Sequence, residues 1–361
     1  MHLRHAPEGG ADGTETRPRI RLAHPVHFHV PETEIWDELK GGARRAVPAE
    51  RLARLATGTL HSWVQRSCYE IGRVAGPVTI GPWLDGQAIN VASVRDFGRR
   101  ARRADAFVLI PRADAHPPML ADFVIHQNGR RPTGPGAAAL FLWPQAGIRP
   151  RDPTRGNRVE TLVYKGRSAN LDTAFRAPAF EAGLADLGVH LERDAIDTLR
   201  GAQRWNDYRQ ADLVLAVRDL TRYDARGKPA SKLVNAWFAD VPALLGPEPA
   251  FRELRRSALD YIEVTSPAEA LDAVRRLQAD PALYRAMVEN GRSRRTAFAE
   301  AALTDAWIAV LDGPVARAFE RWRTRPRLLR ALDRWRGMAL EGPSKRLHDL
   351  RIRRGPRLLD G

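Results

Sequence analysis

The sequence predicts an α/β protein of two doubly wound domains that face a cleft, with a basic helical C-terminal tail. Short apolar runs bounded by Gly, Pro and Asp alternate with helical stretches along the 361 residues. That alternation is typical of parallel sheets with helical crossovers. The chain is also long enough for two domains that each bury a core.

The first domain is predicted to span residues 19–148, after a polar, Gly-rich lead at residues 1–18 that we expect to be disordered. Residues 20–30 are β-rich and form the predicted first strand. A helix is expected within residues 48–73, where apolar side chains recur at helical spacing. Further short strands are predicted at residues 77–80, 89–94, 106–110 and 121–126.

Residues 149–158 belong to a stretch rich in Pro, Gly and Arg that is typical of an interdomain linker. The second domain is predicted at residues 159–313. Its strongest strand signal is ADLVLAV at residues 211–217. Other strands are expected at residues 159–164, 189–192, 242–245 and 261–264, with helices at 177–187, 232–239, 251–254, 269–277 and 281–311. Residues 314–361 form the helical tail.

The net charge of +15 comes from arginine, because only five of the 58 basic residues are lysine. Two interpretations stay open: an anionic partner such as lipid, nucleic acid or nucleotide sugar, or an arginine-rich composition without functional meaning. Cys68 is the only cysteine, which excludes an intrachain disulfide. The first residues lack the apolar region of a signal peptide, and no run of 18 apolar residues occurs. We therefore expect a cytoplasmic protein.

Three glycine turns in the second domain carry basic side chains. They lie at residues 164–167, 227–232 and 246–249, each after a strand or before a helix. Glycine allows a phosphate to approach the backbone closely, and helix N-termini and cations favour its charge. In a parallel sheet such turns gather at the carboxyl edge, where ligands bind.

The segment KPASKLVNAWFADVPALLGPEPAFRELRR, residues 228–256, resembles the donor-binding segment of GT-B glycosyltransferases of the group 1 type. Those enzymes have a helix of the form K-x-x-E-A-x-A-x-G, a short V-P-V-I-like strand and a loop that enters another helix. The resemblance extends backward to residues 163–167 and forward to residues 260–277 and beyond. In all it covers residues 159–311. It implies two Rossmann-like domains and a nucleotide-sugar donor.

Carried over residue by residue, the resemblance places Gly166 and Arg167 at the donor pyrophosphate and Lys232 near it. The full implied donor-binding set is Gly166, Arg167, Lys228, Lys232, Asn235, Glu248 and Glu253. The sequence departs from the family where Asn235 and Gly227 replace two glutamates of its retaining members. Retention or inversion of configuration therefore stays open.

The first domain should bind the acceptor, and a histidine there could serve as general base. His27, in the first strand, and His126, after a later one, are the catalytic candidates, with Asp114, His116 and Asp122 as further possibilities. His24, His27 and His29 lack an evident fourth ligand, so no metal site is expected. Trp143, Pro144 and Gln145 could line the cleft.

The tail has two interpretations. Its Trp, Phe, Leu and Met residues can share one side of a helix, opposite arginines, which suits an anionic membrane surface. Alternatively the tail crosses back and braces the first domain. Bracing is expected for residues 316–322, and lipid or polyanion contact is considered for residues 325–354.

The sequence thus predicts a metal-independent, hexosyltransferase-like enzyme of glycan biosynthesis that needs no cofactor. It would move a sugar from a nucleotide-sugar donor to a glycan, lipid-linked or other hydroxyl acceptor. Contact with the inner membrane face stays open. The alternative is a polyanion- or membrane-surface-binding protein with a catalytically degenerate fold of this type. Zinc-finger spacing and RNA-binding aromatic motifs are absent, so no specific nucleic-acid partner is expected.

Overall fold

The structure, a computed structural model, describes residues 20–42, 46–95, 97, 105–116, 118–130, 134–195 and 204–360. Within them the chain forms two parallel β-sheets with helices packed against them, which confirms the predicted fold class. The expected disordered lead, residues 1–18, lies outside the described residues. The predicted domain limits 19–148, 149–158, 159–313 and 314–361 stay predictions.

The N-terminal sheet has six parallel strands in the order β2-β1-β3-β4-β5-β6. They are β1 (Ile20–His29), β2 (Ala75–Gly81), β3 (Ile89–Ala92), β4 (Val108–Pro111), β5 (Phe123–His126) and β6 (Ala137–Ala139). The first five match predicted strands. Strand β6 was missed because its three alanines carry no β-branched or aromatic side chain.

The predicted helix between residues 48 and 73 is divided into α1 (Ala49–Leu55), a π-helical segment (Leu60–Gln65) and α2 (Arg66–Val74). Gly58, with φ at 76°, lies in the break between α1 and the π-helical segment. Positive φ is a conformation that glycine adopts without steric cost, which accounts for the interruption.

The C-terminal sheet has five parallel strands in the order β11-β10-β9-β7-β8. They are β7 (Thr161–Gly166), β8 (His190–Ala195), β9 (Leu213–Ala216), β10 (Ala243–Leu245) and β11 (Ile262–Glu263). All five overlap predicted strands. Leu213 and Leu215 pack into one core, and Val214 and Ala216 into another on the opposite face. Burial on both faces explains why β9 is a continuous apolar run.

The helices of this half follow its strands in sequence. They are α3 (Pro178–Ala185), α4 (Arg222–Ala225), α5 (Ser231–Phe238), α6 (Pro249–Leu254), α7 (Pro267–Ala279) and α8 (Pro281–Arg295). Ser266 caps α7 by accepting a hydrogen bond from the Glu269 amide, and proline follows at the first helical position. This is the start signal that the sequence predicted.

The last helices return to the N-terminal half. They are α9 (Glu300–Val310), α10 (Ala316–Thr324) and α11 (Arg327–Arg354). Trp307 of α9 packs edge-on against Trp63, with ring centroids 6.3 Å apart. Phe319 of α10 packs against Phe107 at 5.4 Å. Both helices are thereby part of the N-terminal core. Among the described residues, no helix has the length and apolarity that crossing a membrane requires.

The connection between the halves is fixed by the buried carboxylate of Asp212, just before β9. It accepts hydrogen bonds from the guanidinium groups of Arg151, at 2.7 and 2.9 Å, and Arg155, at 2.6 and 2.8 Å. The backbone amides of Glu160 and Thr161 donate to it as well. Burial raises the pKa of Asp212, but these hydrogen bonds outweigh burial and hold the pKa below its ordinary value.

Asp212→Asn should lower the free energy of unfolding by about 3–5 kcal/mol, because it leaves the buried Arg151 guanidinium without a counter-charge and removes the closer of the two carboxylate partners of Arg155. Urea unfolding followed by circular dichroism measures this loss. Asp272→Asn is the matched control, since Asp272 is 72% exposed and pairs only with Arg275 of its own helix. The control should cost less than about 0.5 kcal/mol. Equal losses in the two variants would contradict the structural role of Asp212.

Candidate ligand-binding cleft

A cavity of about 340 Å³ lies between the two halves, at the carboxyl ends of β7 and β9. These two strands are adjacent while β8 lies on the far side of β7, so the cavity opens at a topological switch point. Both halves line it. The polar and aromatic lining residues are Thr57, Thr59, Ser62, Trp63, Arg66, Asp114, Gln127, Trp143, Gln145, Tyr164, Arg167, Asn170, Trp205, Arg218, Ser231, Lys232 and Asn235.

The glycine turn after β7 forms one wall. The hydroxyl of Tyr164 folds back and donates to the carbonyl of Arg167 at 2.9 Å. A Cβ on Gly166 would lie 2.3 Å from that hydroxyl oxygen, so a larger residue would displace the ring. The Arg167 side chain is exposed and lines the cavity. The turn therefore places the Gly166 backbone, which carries no side chain, and the Arg167 guanidinium on the same wall of the cavity.

Lys232, in the first turn of α5, is the most unusual cation of the cleft. Its ammonium group donates to the carbonyl of Lys165 and lies 4.2 Å from the ring centre of Trp205. Removal from solvent, together with the nearby positive charges of Arg218 and Lys165, lowers the pKa of Lys232 to about 7. A bound anion would restore the charged form.

Two neighbouring cations are already neutralised. Arg218 donates to Glu248, with Nε 2.7 Å from Oε1, and Glu248 is completely buried. Lys165 is likewise paired with Asp194 at 2.6 Å. Among the described residues, neither Arg167 nor Lys232 forms an ion pair. These two are therefore the cations of the cleft that remain for an anionic ligand.

The N-terminus of α5 also points to the cleft. Its N-cap residue, Ala230, offers no side-chain acceptor to the first amides. Ser231 and Lys232 of this first turn line the cavity, and an uncapped helix start favours an anion. One turn later, Asn235 accepts a hydrogen bond from the Gln145 amide at 3.1 Å across the cleft.

The opposite wall carries one carboxylate. Asp114, in the loop after β4, is the only Asp, Glu or His among the described residues that line the cavity, and its side chain is 55% exposed. The preceding residue, Ala113, has φ at 50°, a strained conformation for alanine. Gln127 orients the carboxylate by donating to it at 2.6 Å.

The loop after β5 joins the two walls. Gln127 donates to the Gly227 carbonyl at 2.6 Å, and Asn128 donates to the Lys228 carbonyl at 2.8 Å. The Gly129 amide donates to Glu253 at 2.8 Å. Lys228 and Glu253, two members of the implied donor set, thus lie at a contact between the halves, outside the cavity lining. Glu248 is also outside the lining, against Arg218.

The structure places the catalytic candidates His27 and His126 outside the cavity lining. His27 is fully buried, stacks on Trp83 and bonds Thr79 at 2.8 Å. Burial lowers its pKa. His116 contacts Glu341 of α11, and the Asp122 carboxylate accepts from the Val108 amide at 2.8 Å. Of the acid–base candidates, Asp114 alone reaches the cleft.

Four of the sequence-predicted donor residues do line one cavity together: Gly166, Arg167, Lys232 and Asn235. Trp143, Pro144 and Gln145 line it as well. Arg218 and Trp205 were missed. The position of Arg218, directly after the strongest strand signal, was the available clue, because residues at that point face a ligand in parallel sheets.

Within the described parts of the chain, no three His, Cys, Asp or Glu side chains are grouped so that they could hold a metal ion.

The fold and the cleft define an α/β protein of two doubly wound domains with a cavity between them. No protein-family model matches the chain, and no curated protein sequence matches it. Solved structures do match. One is TarM, with a TM-score of 0.44 and 7% identity over 63% of this chain. This match spans 55% of the TarM chain, about half its length.

Two further matches extend over nearly the whole length of the matched protein. HepE of Anabaena, solved in complex with UDP and glucose, has a TM-score of 0.43 and 10% identity, and the match covers 83% of this chain and 99% of that one. AviGT4, a glycosyltransferase involved in avilamycin A biosynthesis, has a TM-score of 0.42 and 13% identity, with 84% and 99% covered.

The Lys232 amine should titrate with a pKa of about 7. Only five lysines occur in the chain, so reductive ¹³C-methylation gives few NMR signals to assign. The signal that disappears in Lys232→Arg should shift with a midpoint about 7. The signal assigned by Lys40→Arg should show no titration in this range, because the hydrogen bond to Asp37 raises the pKa of Lys40 above its ordinary value. A Lys232 midpoint near 10 would contradict the conclusion that burial and the neighbouring positive charges lower the pKa of this amine.

Proposed function

We propose that the chain is a glycosyltransferase that moves a sugar from a nucleotide-sugar donor to a hydroxyl acceptor, bound in the cleft between its two domains. One observation carries the proposal: among the cations that line the cleft, Arg167 and Lys232 have no carboxylate partner in the described part of the chain, and they lie at the Gly166 turn and the start of α5. That combination suits a diphosphate, which needs close backbone approach and two negative charges balanced.

The donor wall would act on the leaving group. As the bond between the sugar C1 and the phosphate oxygen breaks, negative charge develops on the nucleoside diphosphate. Lys232, held against the Lys165 carbonyl and the Trp205 ring, and the first amides of α5 are in place before the reaction, so they stabilise that charge without reorganising. The exposed Arg167 adds a second positive charge. Side chains and amides supply the positive charge, and the proposed transfer therefore requires no metal.

Asp114 is the proposed general base. It lies on the wall opposite the diphosphate site, where an acceptor hydroxyl would approach C1 from the side away from the leaving group. The acceptor oxygen forms its bond to C1 while the C1–phosphate bond breaks, and the hydroxyl proton passes to the Asp114 carboxylate. This arrangement inverts the configuration at C1, in agreement with Asn235 and Gly227 replacing the glutamates of retaining enzymes.

The acceptor would be the hydroxyl group of a glycan or of a lipid-linked sugar. The N-terminal wall carries the hydroxyls of Thr59 and Ser62 and the amide groups of Gln127 and Gln145. Neutral donors and acceptors of this kind orient sugar hydroxyls, and they add no charge that would compete with the diphosphate.

Asp114→Asn should lower turnover by about 10²–10⁴-fold with little effect on donor binding, because the amide keeps the size of the carboxylate but cannot accept the proton. The assay measures nucleoside diphosphate release from UDP-, GDP-, ADP- and TDP-linked sugars with simple glycosides as acceptors. Asp219→Asn, a surface change next to Arg357, is the matched control and should keep full activity. Loss of turnover in His126→Asn with full activity in Asp114→Asn would assign the base to His126. Absence of release from any donor by the wild type would overturn the proposed activity.

A further inference from the structure

Helix α11 turns an apolar side to solvent. Leu328, Leu332 and Trp335 are spaced at i, i+4 and i+7 and so share one face. They are 71%, 56% and 70% exposed, respectively. Leu347 and Leu350 are also about half exposed further along the helix. We call the first three residues the outer stripe. Large side chains in this arrangement are normally buried against a core.

The other side of α11 is bound to the rest of the molecule through polar groups. Arg330 pairs with Asp105 at 2.6 Å, and Arg334 donates to the Ala106 carbonyl at 2.9 Å. A Cβ on Gly337 would lie 2.6 Å from the Met119 carbonyl oxygen, so the helix backbone packs directly on that loop. The helix cannot rotate its apolar side inward without breaking these contacts. The outer stripe is therefore a fixed feature of the surface.

Positive charge surrounds the outer stripe. Residues 314–361 contain fourteen Lys or Arg and five Asp or Glu. Arg327, Arg336 and Arg346 of α11 are exposed. Asp333, the acidic residue within the span of the stripe, is paired with Arg325 at 2.6 Å. The field around the stripe is consequently positive, which selects a negatively charged partner.

We propose that this face of α11 binds the surface of an anionic lipid bilayer. Trp335, Leu328 and Leu332 would enter the boundary between headgroups and acyl chains, and the arginines would pair with lipid phosphates. The helix would lie parallel to the membrane plane. A second copy of the chain is disfavoured as the occupant, because it would bring two positively charged rims together.

The membrane face is independent of the proposed sugar transfer, since none of its residues lines the cleft. An experiment can therefore distinguish failure of the membrane-binding proposal from failure of the proposed sugar transfer. Nucleotide-sugar binding, measured on the same variants, reports on the cleft alone.

Vesicle flotation tests the proposal with the full chain. Wild type should float with vesicles of phosphatidylcholine containing 30% phosphatidylglycerol and stay unbound with phosphatidylcholine alone. Leu332→Ser with Trp335→Ser should weaken binding about tenfold, because the inserted apolar area is lost. Arg336→Glu should weaken it about tenfold as well. Arg285→Glu, an equal charge change on an exposed site of α8, should bind like the wild type.

Because the substituted side chains are exposed, all variants should fold, and circular dichroism verifies this. Equal binding of wild type to neutral and anionic vesicles would overturn the proposal. So would equal loss in Arg336→Glu and Arg285→Glu, which would indicate a net-charge effect without a defined face. Light scattering that shows a wild-type dimer, lost in the Leu332→Ser, Trp335→Ser variant, would reassign the outer stripe to an interface between copies.

Discussion

The buried carboxylate of Asp212 is the constraint on which the relation of the two halves depends. It binds Arg151 and Arg155, both in the connecting segment, and so fixes where the chain leaves one domain and enters the other. The Arg151 amide also donates to the Ala239 carbonyl, next to α5, which bears Lys232. The position of the linker is therefore coupled to the cleft wall that carries Lys232. Arg151 and Arg155 thus have a structural role, because a buried carboxylate must be neutralised.

The cleft separates cations that serve the fold from cations available to a ligand. Arg66 pairs with Glu300 and donates to the Pro144 carbonyl at 2.5 Å, which positions the floor of the cleft. Arg218 is held by Glu248 in the same way. Lys232 lies on Trp205 with no such partner among the described residues, and burial together with the charges of Arg218 and Lys165 lowers its pKa. An unpaired cation in a polar cleft lowers the stability of the fold. Binding sites contain such cations, whereas charged groups in a protein core are paired.

The sequence was sufficient for the fold class and for part of the site. Periodic apolar runs predicted ten of the eleven strands in the described part of the chain, and the glycine turns pointed to Gly166 and Lys232, which line one cavity. The sequence could not predict the contacts across the cleft. Glu248 and Glu253 look like free acceptors in sequence, yet Glu248 neutralises Arg218 and Glu253 bonds Gly129, because distant loops meet there. Asp114 had no distinguishing pattern, since its place depends on how the two halves face each other.

The central claim is that the cleft binds the diphosphate of a nucleotide sugar between the Gly166 turn and Lys232. A thermal-shift screen of UDP-, GDP-, ADP- and TDP-linked sugars tests it most directly, on wild type and on Arg167→Ala combined with Lys232→Ala. The account predicts that at least one donor stabilises the wild type and that the variant loses this stabilisation while keeping its own fold. Stabilisation by none of the donors, or equal stabilisation of both proteins, would contradict it.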